Sequence, residues 1–425
     1  MADKVCAGPQ YTMVPRAAAL ALAVSCAIAV PMASAQAINT EAPATASTVR
    51  SSKPAILPAA EDPLAGFYPS VTIGAVNHSN VFATPDDEQD DWAVTVSPAL
   101  VWRGDMGGRH AVYAEYRADY IGYQEFDDQN TLNQLLQAGV GLDLTERLDV
   151  NGRIGYADAY EARGTAGSRL LVDDPDLDPD RFNELFYEGQ VVYGRRTNTL
   201  QLAGTVSHSE VRFKNNDQAG RDRDADALAA AVFWNVGTVT SLFVEGVWEE
   251  IDYIEPGAID FDSDVTSYNV GLAWQPTEVT TGIVRVGQTD KDFKDPAQED
   301  FSGATYEGRV RWEARPYSII EAYAAKSVEE STSFESSFIE STIYGVSWNH
   351  DLTERWTVGA FGQWINDQFS EGREDDYSSY GVNLVYDMTS WLDVGAGWSR
   401  TERSSSLPEA DYEDDVISFF VTARR

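Results

Sequence analysis

Residues 391–398 read Trp-Leu-Asp-Val-Gly-Ala-Gly-Trp, and in this stretch apolar residues alternate one by one with small or polar ones. Leu392 and Val394 would share one face of an extended chain, while Asp393 and Gly395 would share the other. A period of two is typical of a β-strand that lies between two different environments. The same alternation recurs in three further stretches, at residues 198–207, 301–313 and 380–386.

The connections between such stretches alternate between short turns and long polar loops, and the turns recur about every 40 residues, as in a hairpin repeat. Nine long loops and eight short turns connect 18 strands of about ten residues or more, which suits a tilted strand that crosses a membrane. The sequence therefore predicts an all-β fold, a transmembrane antiparallel up-and-down β-barrel of about 18 strands. The turns are centred near residues 106, 145, 197, 238, 277, 315, 352 and 389.

Composition excludes several other classes of protein for this chain of 425 residues. The net charge of -37 disfavours nucleic acid as a partner, because a nucleic-acid-binding protein needs a basic face. Aromatic residues make up 11% of the chain, which is too many for wholesale disorder. Beyond residue 35 no apolar run reaches the roughly 18 residues of a transmembrane helix.

The N-terminal region is expected to direct export. A basic residue, Arg16, precedes an apolar stretch that ends near a small-x-small site, so residues 1–35 are predicted to be a signal peptide cut after Ala35. The only two cysteines, Cys6 and Cys26, fall inside it. Residues 36–64 are rich in Ala, Pro, Ser and Thr and predict a flexible periplasmic linker. The predicted barrel then spans residues 65–425.

Tryptophan positions support a membrane setting. Seven of the 11 tryptophans lie within a few residues of a short turn, where amphipathic rings would settle at the membrane interface. Ordinary strand-end aromatics in a soluble barrel are the alternative. The predicted interface girdle consists of Trp102, Trp234, Trp274, Trp312, Trp348, Trp356 and Trp391.

Alternation also selects the charged residues that would point into the barrel. Two interpretations stay open for them: a watery pore lining that sets selectivity, or a network of ion pairs that only braces the wall. The predicted pore-lining residues are Glu115, Arg117, Asp119, Arg153, Glu188, Glu245, Glu249, Arg285, Glu307, Arg309, Arg311 and Glu313.

The sequence predicts neither an enzyme nor a cofactor. The run His78-Ser79-Asn80 contains residue types of a hydrolase site, but neighbours in a strand point to opposite faces and cannot form a triad. The spacing of Asp174, Asp176 and Asp178 resembles a calcium loop superficially. This stretch lacks the glycine and the helix pair of an EF-hand, so a solvated acidic loop without a metal is expected.

The first predicted hairpin carries a family resemblance. Residues 76–84 read Val-Asn-His-Ser-Asn-Val-Phe-Ala-Thr, and residues 92–100 read Trp-Ala-Val-Thr-Val-Ser-Pro-Ala-Leu. Tyr113-Ala-Glu-Tyr116 and Tyr120-Ile-Gly-Tyr123 follow. This pattern resembles the putative β-barrel porin 2 family of bacterial outer-membrane proteins, over about Gly66 to the C-terminus. The resemblance implies a channel, and for some members an association with exopolysaccharide export.

The expected function is passive conduction or export of polysaccharide through an aqueous lumen. Alternatives are a cation-preferring porin for small solutes, since acidic mouths concentrate cations, and a structural or adhesive barrel with a plugged lumen. Residues 159–182 are the candidate plug, because Leu170, Leu171, Leu177 and Phe182 give this loop apolar anchors. Expected partners are outer-membrane lipid and lipopolysaccharide, the barrel-assembly machinery and polysaccharide export components.

Overall fold

The computed structural model describes residues 65–425 except 108, 165–177, 196, 238, 256–258, 278, 316 and 332–335. The predicted signal peptide and linker lie outside these described residues and stay predictions. Eighteen strands are present: β1 Gly66–His78, β2 Asp91–Met106, β3 His110–Tyr123, β4 Thr131–Thr145, β5 Leu148–Tyr160, β6 Arg181–Tyr193, β7 Leu200–Phe213, β8 Arg223–Val236, β9 Thr240–Tyr253, β10 Ser263–Thr277, β11 Thr280–Phe293, β12 Phe301–Arg315, β13 Ser318–Glu330, β14 Phe338–Asp351, β15 Trp356–Phe369, β16 Glu374–Thr389, β17 Leu392–Ser405 and β18 Tyr412–Arg424.

Every strand pairs antiparallel with its two neighbours in the chain, and β1 also pairs with β18, so the sheet closes into one barrel. The prediction of an 18-stranded antiparallel barrel is therefore confirmed. Nine long loops lie at one end of the barrel, called here the loop end, and eight short turns lie at the turn end. No helix among the described residues is long and apolar enough to span a membrane.

The register of β17, β18 and β1 continues the outer and inner faces of residues 391–398 across the seam between β18 and β1. On the outer face, Val394 pairs with Val421, and Val421 pairs with Ile73, whose side chain is 54% exposed. On the inner face, Thr422 pairs with Thr72, and their hydroxyls lie 2.9 Å apart. The wall is thus apolar outside and hydrophilic inside, as lipid on one side and water on the other require.

Three turns at the turn end share one hydrogen-bonding pattern, and two of them, at residues 144–147 and 352–355, share the sequence Leu-Thr-Glu-Arg. The hydroxyl oxygens of Thr145, Thr353 and Thr389 each accept the backbone N–H of the residue two positions later, at 3.1, 3.2 and 3.3 Å. Such a local side-chain bond lets the backbone reverse without help from another strand. The sequence similarity of these turns therefore reflects the hydrogen bond that they share.

The run His78-Ser79-Asn80 acts as a clasp across the β1–β18 seam. The imidazole Nδ1 of His78 lies 2.8 Å from Asp414 Oδ2, and the Asn80 backbone N–H donates to Asp414 Oδ1 at 3.1 Å. The Ser79 hydroxyl donates to the same oxygen at 3.3 Å. The Asn80 amide also donates to the Thr84 carbonyl at 2.7 Å, which shapes the start of the following loop. One carboxylate thus fixes both the first and the last strand.

Replacing Asp414 by alanine is expected to weaken the seam, because three donors lose their common acceptor. The expected loss of unfolding free energy is about 1–3 kcal/mol. Urea unfolding of the refolded barrel in detergent micelles measures it. Glu409→Ala, in an exposed position of the adjacent loop, is the matched control. Equal unfolding midpoints for the two variants would contradict the clasp.

Candidate functional site

Register places all twelve predicted pore-lining residues on the inner face of the wall. In β3, for example, Tyr116 pairs with Leu136, which is 56% exposed on the outer face, whereas its neighbour Glu115 pairs with Gln137 and is buried. Seven of the twelve are carboxylates and five are guanidinium groups. They lie on β3, β5, β6, β9, β11 and β12.

The structure joins several of these residues into ion pairs. The guanidinium of Arg285 lies 2.9 Å from Glu245 and 2.7 Å from Glu307, so one cation on β11 bridges carboxylates on β9 and β12. The Arg285 side chain is only 5% exposed. A guanidinium buried between two carboxylates offsets part of the desolvation cost of all three groups.

Smaller pairs continue this charged wall on either side of Arg285. Arg311 lies 3.1 Å from Glu313 and 2.8 Å from Glu321 of β13, a residue that the sequence analysis did not select. Arg153 lies 3.5 Å from Glu188, and Arg117 pairs with Glu115. The remaining three of the twelve share the same face: Asp119, Glu249 and Arg309.

The other side of the lumen is uncharged at mid-height. On the seven consecutive strands β14 to β18, β1 and β2, the described charged residues of the inner face lie only toward the two ends of the barrel. Between the ends the inner face carries hydroxyls, amides and small or apolar residues. We call these seven consecutive strands the uncharged half of the lumen and the other eleven strands the charged half. Within the charged half, the charged residues named above lie on β3, β5, β6, β9, β11, β12 and β13, whereas the described residues of β4, β7, β8 and β10 include none at mid-height. The polar residues of the uncharged half include Ser70, Thr72, Thr95, Ser97, Ser341, Ser347, Gln363, Ser379, Asn383, Ser399, Thr401 and Ser418.

At the loop end, loops fold inward over the lumen. Loop 1 (residues 79–90) buries Phe82, whose ring packs edge-on against Phe126 of loop 2 (residues 124–130) at 4.9 Å. Arg163 of loop 3 (residues 161–180) stacks on Phe82 at 5.2 Å and donates to Gln129 of loop 2 at 2.6 Å. These three loops form a packed assembly, called here the cap.

Loop 3 reaches across the mouth of the barrel. A Cβ atom built on Gly164 would lie 2.6 Å from the ring of Tyr412, so loop 3 touches the start of β18. Strands β5 and β18 are five steps apart around the wall. For 18 strands about 4.8 Å apart and tilted by about 40°, those ends lie roughly 27 Å apart along a chord. Because the strand ends are this far apart, loop 3 and the Tyr412 side chain can touch only by extending inward over the lumen.

The base of loop 3 is held by a buried ion triplet. Arg221 of loop 4 (residues 214–222) donates to both carboxylate oxygens of Glu161, at 2.8 and 3.0 Å, and lies 3.6 Å from Asp180. Both carboxylates are fully buried, and the guanidinium stacks on Phe213 at 4.1 Å. The two ends of the predicted plug, residues 159–182, are thus anchored inside the mouth, while residues 165–177 lie outside the described part.

A second cluster narrows the opposite side of the mouth. The Tyr253 hydroxyl at the end of β9 donates to Glu330 at the end of β13 at 2.6 Å, across four strand steps. Lys291 also pairs with Glu330. Around this contact, Phe301 and Phe338 pack edge-on at 5.2 Å. The loop end is therefore lined by packed aromatic groups, whereas the middle of the barrel is hydrophilic.

All seven tryptophans of the predicted girdle lie at the turn end, on the outer face or, for Trp391, in the turn itself. The structure adds a second outer belt that the sequence analysis missed. Its members lie in the loop-side half of the strands, far from the short turns, so proximity to a short turn does not identify them. They include Trp92, Tyr120, Tyr156, Trp248, Tyr268, Tyr306 and Trp364.

The remaining candidates for chemistry have structural surroundings. His208 lies on the outer face, stacked on Tyr187 at 4.8 Å and 2.8 Å from Asp226. Of the calcium candidates, Asp174 and Asp176 lie outside the described residues, and Asp178 is exposed. Among the described residues, no group of three or more His, Cys, Asp or Glu side chains could hold a metal ion.

Comparison with known proteins adds a family match. Residues 66–425 match the model of the family described as putative beta-barrel porin 2. No curated protein matches the chain. Similar solved structures include the outer membrane protein opdK from Pseudomonas aeruginosa, with a TM-score of 0.45 and 11% identity over 85% of this chain and 99% of that chain. The siderophore receptor PirA from Acinetobacter baumannii has a TM-score of 0.44 and 8% identity over 86% and 81%.

Replacing Arg285 by methionine is expected to lower the unfolding free energy by about 3–5 kcal/mol, because two carboxylates are left buried without their cation. Urea unfolding in micelles measures this loss. The matched control also replaces Glu245 and Glu307 by glutamine, and it should recover most of the stability. An unchanged unfolding free energy for Arg285→Met would show that these ion pairs do not stabilise the wall. A shift of ion selectivity toward cations in Arg285→Met would in addition identify this wall as a pore lining.

Proposed function

This chain belongs to the putative beta-barrel porin 2 family, and we propose that it conducts an uncharged polysaccharide passively across the outer membrane through its lumen. The observation that carries this proposal is the uncharged half of the inner wall. A neutral polymer needs hydrogen-bonding partners for its hydroxyls but no counterions. Hydroxyl and amide side chains on seven consecutive strands offer such partners along one side of the lumen.

The dimensions of the barrel support passage of a chain rather than a single ion. With 18 strands the wall is roughly 36 Å across between backbone centres. Barrels of this strand number leave an aqueous channel after side chains fill part of the interior. The cap of loops 1, 2 and 3 would then control access from the loop end, so conduction is proposed to be gated there.

A cation-preferring porin for small solutes is the second candidate. Carboxylates outnumber guanidinium groups seven to five among the twelve predicted pore-lining residues, and the whole chain has a net charge of -37. A lumen with an acidic excess raises the local concentration of cations. A structural or adhesive barrel, held shut by the cap, is the third candidate. It rests on the inward folding of loop 3.

Location and partners complete the proposal. The barrel would reach the outer membrane through its signal peptide and the barrel-assembly machinery. Its two outer aromatic belts would lie at the lipid interfaces, with the loop end toward lipopolysaccharide. Polysaccharide export components would supply the polymer at the turn end.

Single-channel current of the refolded barrel in a planar bilayer tests conduction. The cap predicts small or intermittent currents for the wild type. Replacing residues 163–179 by a short Gly-Ser linker should raise conductance several-fold, because it removes the contacts with Phe82, Gln129 and Tyr412. A linker of the same kind in place of residues 407–409, which leaves those contacts intact, is the control.

A salt gradient across the same bilayer separates the candidates. A strong cation preference with free passage of small solutes would favour the second candidate. Weak ion selectivity, with current blocked by neutral polymer, would favour the first. If wild type and linker variant both remain silent, conduction is refuted and the structural barrel is favoured.

A further inference from the structure

Six aromatic residues of the inner wall each lie against a glycine on the neighbouring strand. A Cβ atom on any of these glycines would collide with the ring. Because glycine has no side chain, the ring can approach the backbone of the next strand closely. The pairs are Tyr113 with Gly139, Phe186 with Gly155, Phe243 with Gly271, Tyr323 with Gly345, Phe361 with Gly381 and Phe420 with Gly395.

Two of these rings are half-buried, Phe361 in the uncharged half and Tyr323 on β13 at its border. The Phe361 ring extends from β15 over Gly381 of β16, where a Cβ atom would lie 2.6 Å from it. The Tyr323 ring extends from β13 over Gly345 of β14, and its hydroxyl is hydrogen-bonded to Gln363 of β15. Both rings lie on the inner wall, partly covered by it and partly exposed toward the lumen.

The surroundings of Phe361 are polar and neutral, whereas Tyr323 lies at the border of the charged half, paired in register with Arg309 of β12. The two rings lie at a similar height, because each residue is five positions from the turn end of its strand. Strand β13 begins at Ser318 and β15 at Trp356. Hydroxyl and amide groups flank the rings on the inner face, including Ser347, Gln363 and Ser399. The two rings, which Gln363 links through its hydrogen bond to Tyr323, and the uncharged groups around Phe361 are called here the aromatic strip.

We propose that the aromatic strip, Tyr323 and Phe361 with their flanking hydroxyl and amide groups, is a binding track for the sugar rings of a neutral carbohydrate. One face of a pyranose ring is covered by C–H bonds with partial positive charge, which complements the negative face of an aromatic ring. The flanking groups complement the hydroxyls at the sugar edge. This inference rests on the proposed function and specifies where the lumen contacts its solute.

A purely structural role for the rings makes a different prediction. If they only cover glycines and shape the wall, all six pairs are equivalent. Phe243 is then the informative comparison, because it lies over Gly271 in the same way but is 4% exposed and lies on β9 in the charged half. Its replacement perturbs the wall without touching the aromatic strip.

The experiment compares Phe361→Leu with Phe243→Leu in planar bilayers, in the variant with residues 163–179 replaced. Leucine still covers the glycine but has no aromatic face. The probes are a neutral glucose heptasaccharide, added at either side, and an acidic oligogalacturonate of similar length. The neutral sugar should block the current, and Phe361→Leu should shorten the block about five- to tenfold. Phe243→Leu should leave the block unchanged.

Other outcomes separate the two proposals. Conduction without any block by the neutral sugar refutes the aromatic strip and leaves the channel standing. Equal changes in both variants assign the rings a structural role and also refute it. If no current is seen, saturation-transfer NMR of the heptasaccharide with the refolded barrel replaces the block. Binding lost in Phe361→Leu alone then supports the strip, and absence of binding to the wild type overturns it.

Discussion

Backbone hydrogen bonding in lipid is the constraint on which the rest of this structure depends. An unpaired N–H or C=O in hydrocarbon costs several kcal/mol, so a sheet in a membrane must have no edge. The chain meets this requirement by pairing β1 with β18. Asp414 binds three consecutive residues at that seam, which makes the acidic run at the start of the last strand a closing device. The run His78-Ser79-Asn80, whose residue types occur in hydrolase sites, thus serves to close the barrel.

Closure also determines how a chain with mixed charges obtains a lumen with two different halves. The charged residues of the inner wall at mid-height all belong to strands between β3 and β13 in the chain. The strands at both chain termini contribute none at mid-height. Because closure makes β14 to β18 adjacent to β1 and β2, two separate uncharged segments become one continuous surface. The charged residues around Arg285 are paired with one another within the charged half and need no partner from the uncharged half.

The sequence predicted the features whose causes are local. Alternation with a period of two and the Thr-based turns depend on neighbouring residues, so the number of strands and the inward position of residues such as Glu245 could be read directly. The cap could not be, because the contact of Gly164 with Tyr412 joins strands that are distant in the chain and close only across the mouth. The uncharged half was missed for a related reason. It is an absence of charge spread over seven strands, and no single motif marks it.

The pairing of aromatic rings with glycines shows how one physical device serves two different walls. A ring laid over a glycine removes exposed backbone and packs adjacent strands, and this benefit is the same for Phe243 and Phe361. What differs is the environment of the free face. Near Phe243 it is covered, since Phe233 packs against it at 5.3 Å. Near Phe361 the neighbours are small or polar, so the ring stays accessible from the lumen. Local packing explains why the rings are present, and the charge of the surrounding wall decides which of them a solute can use.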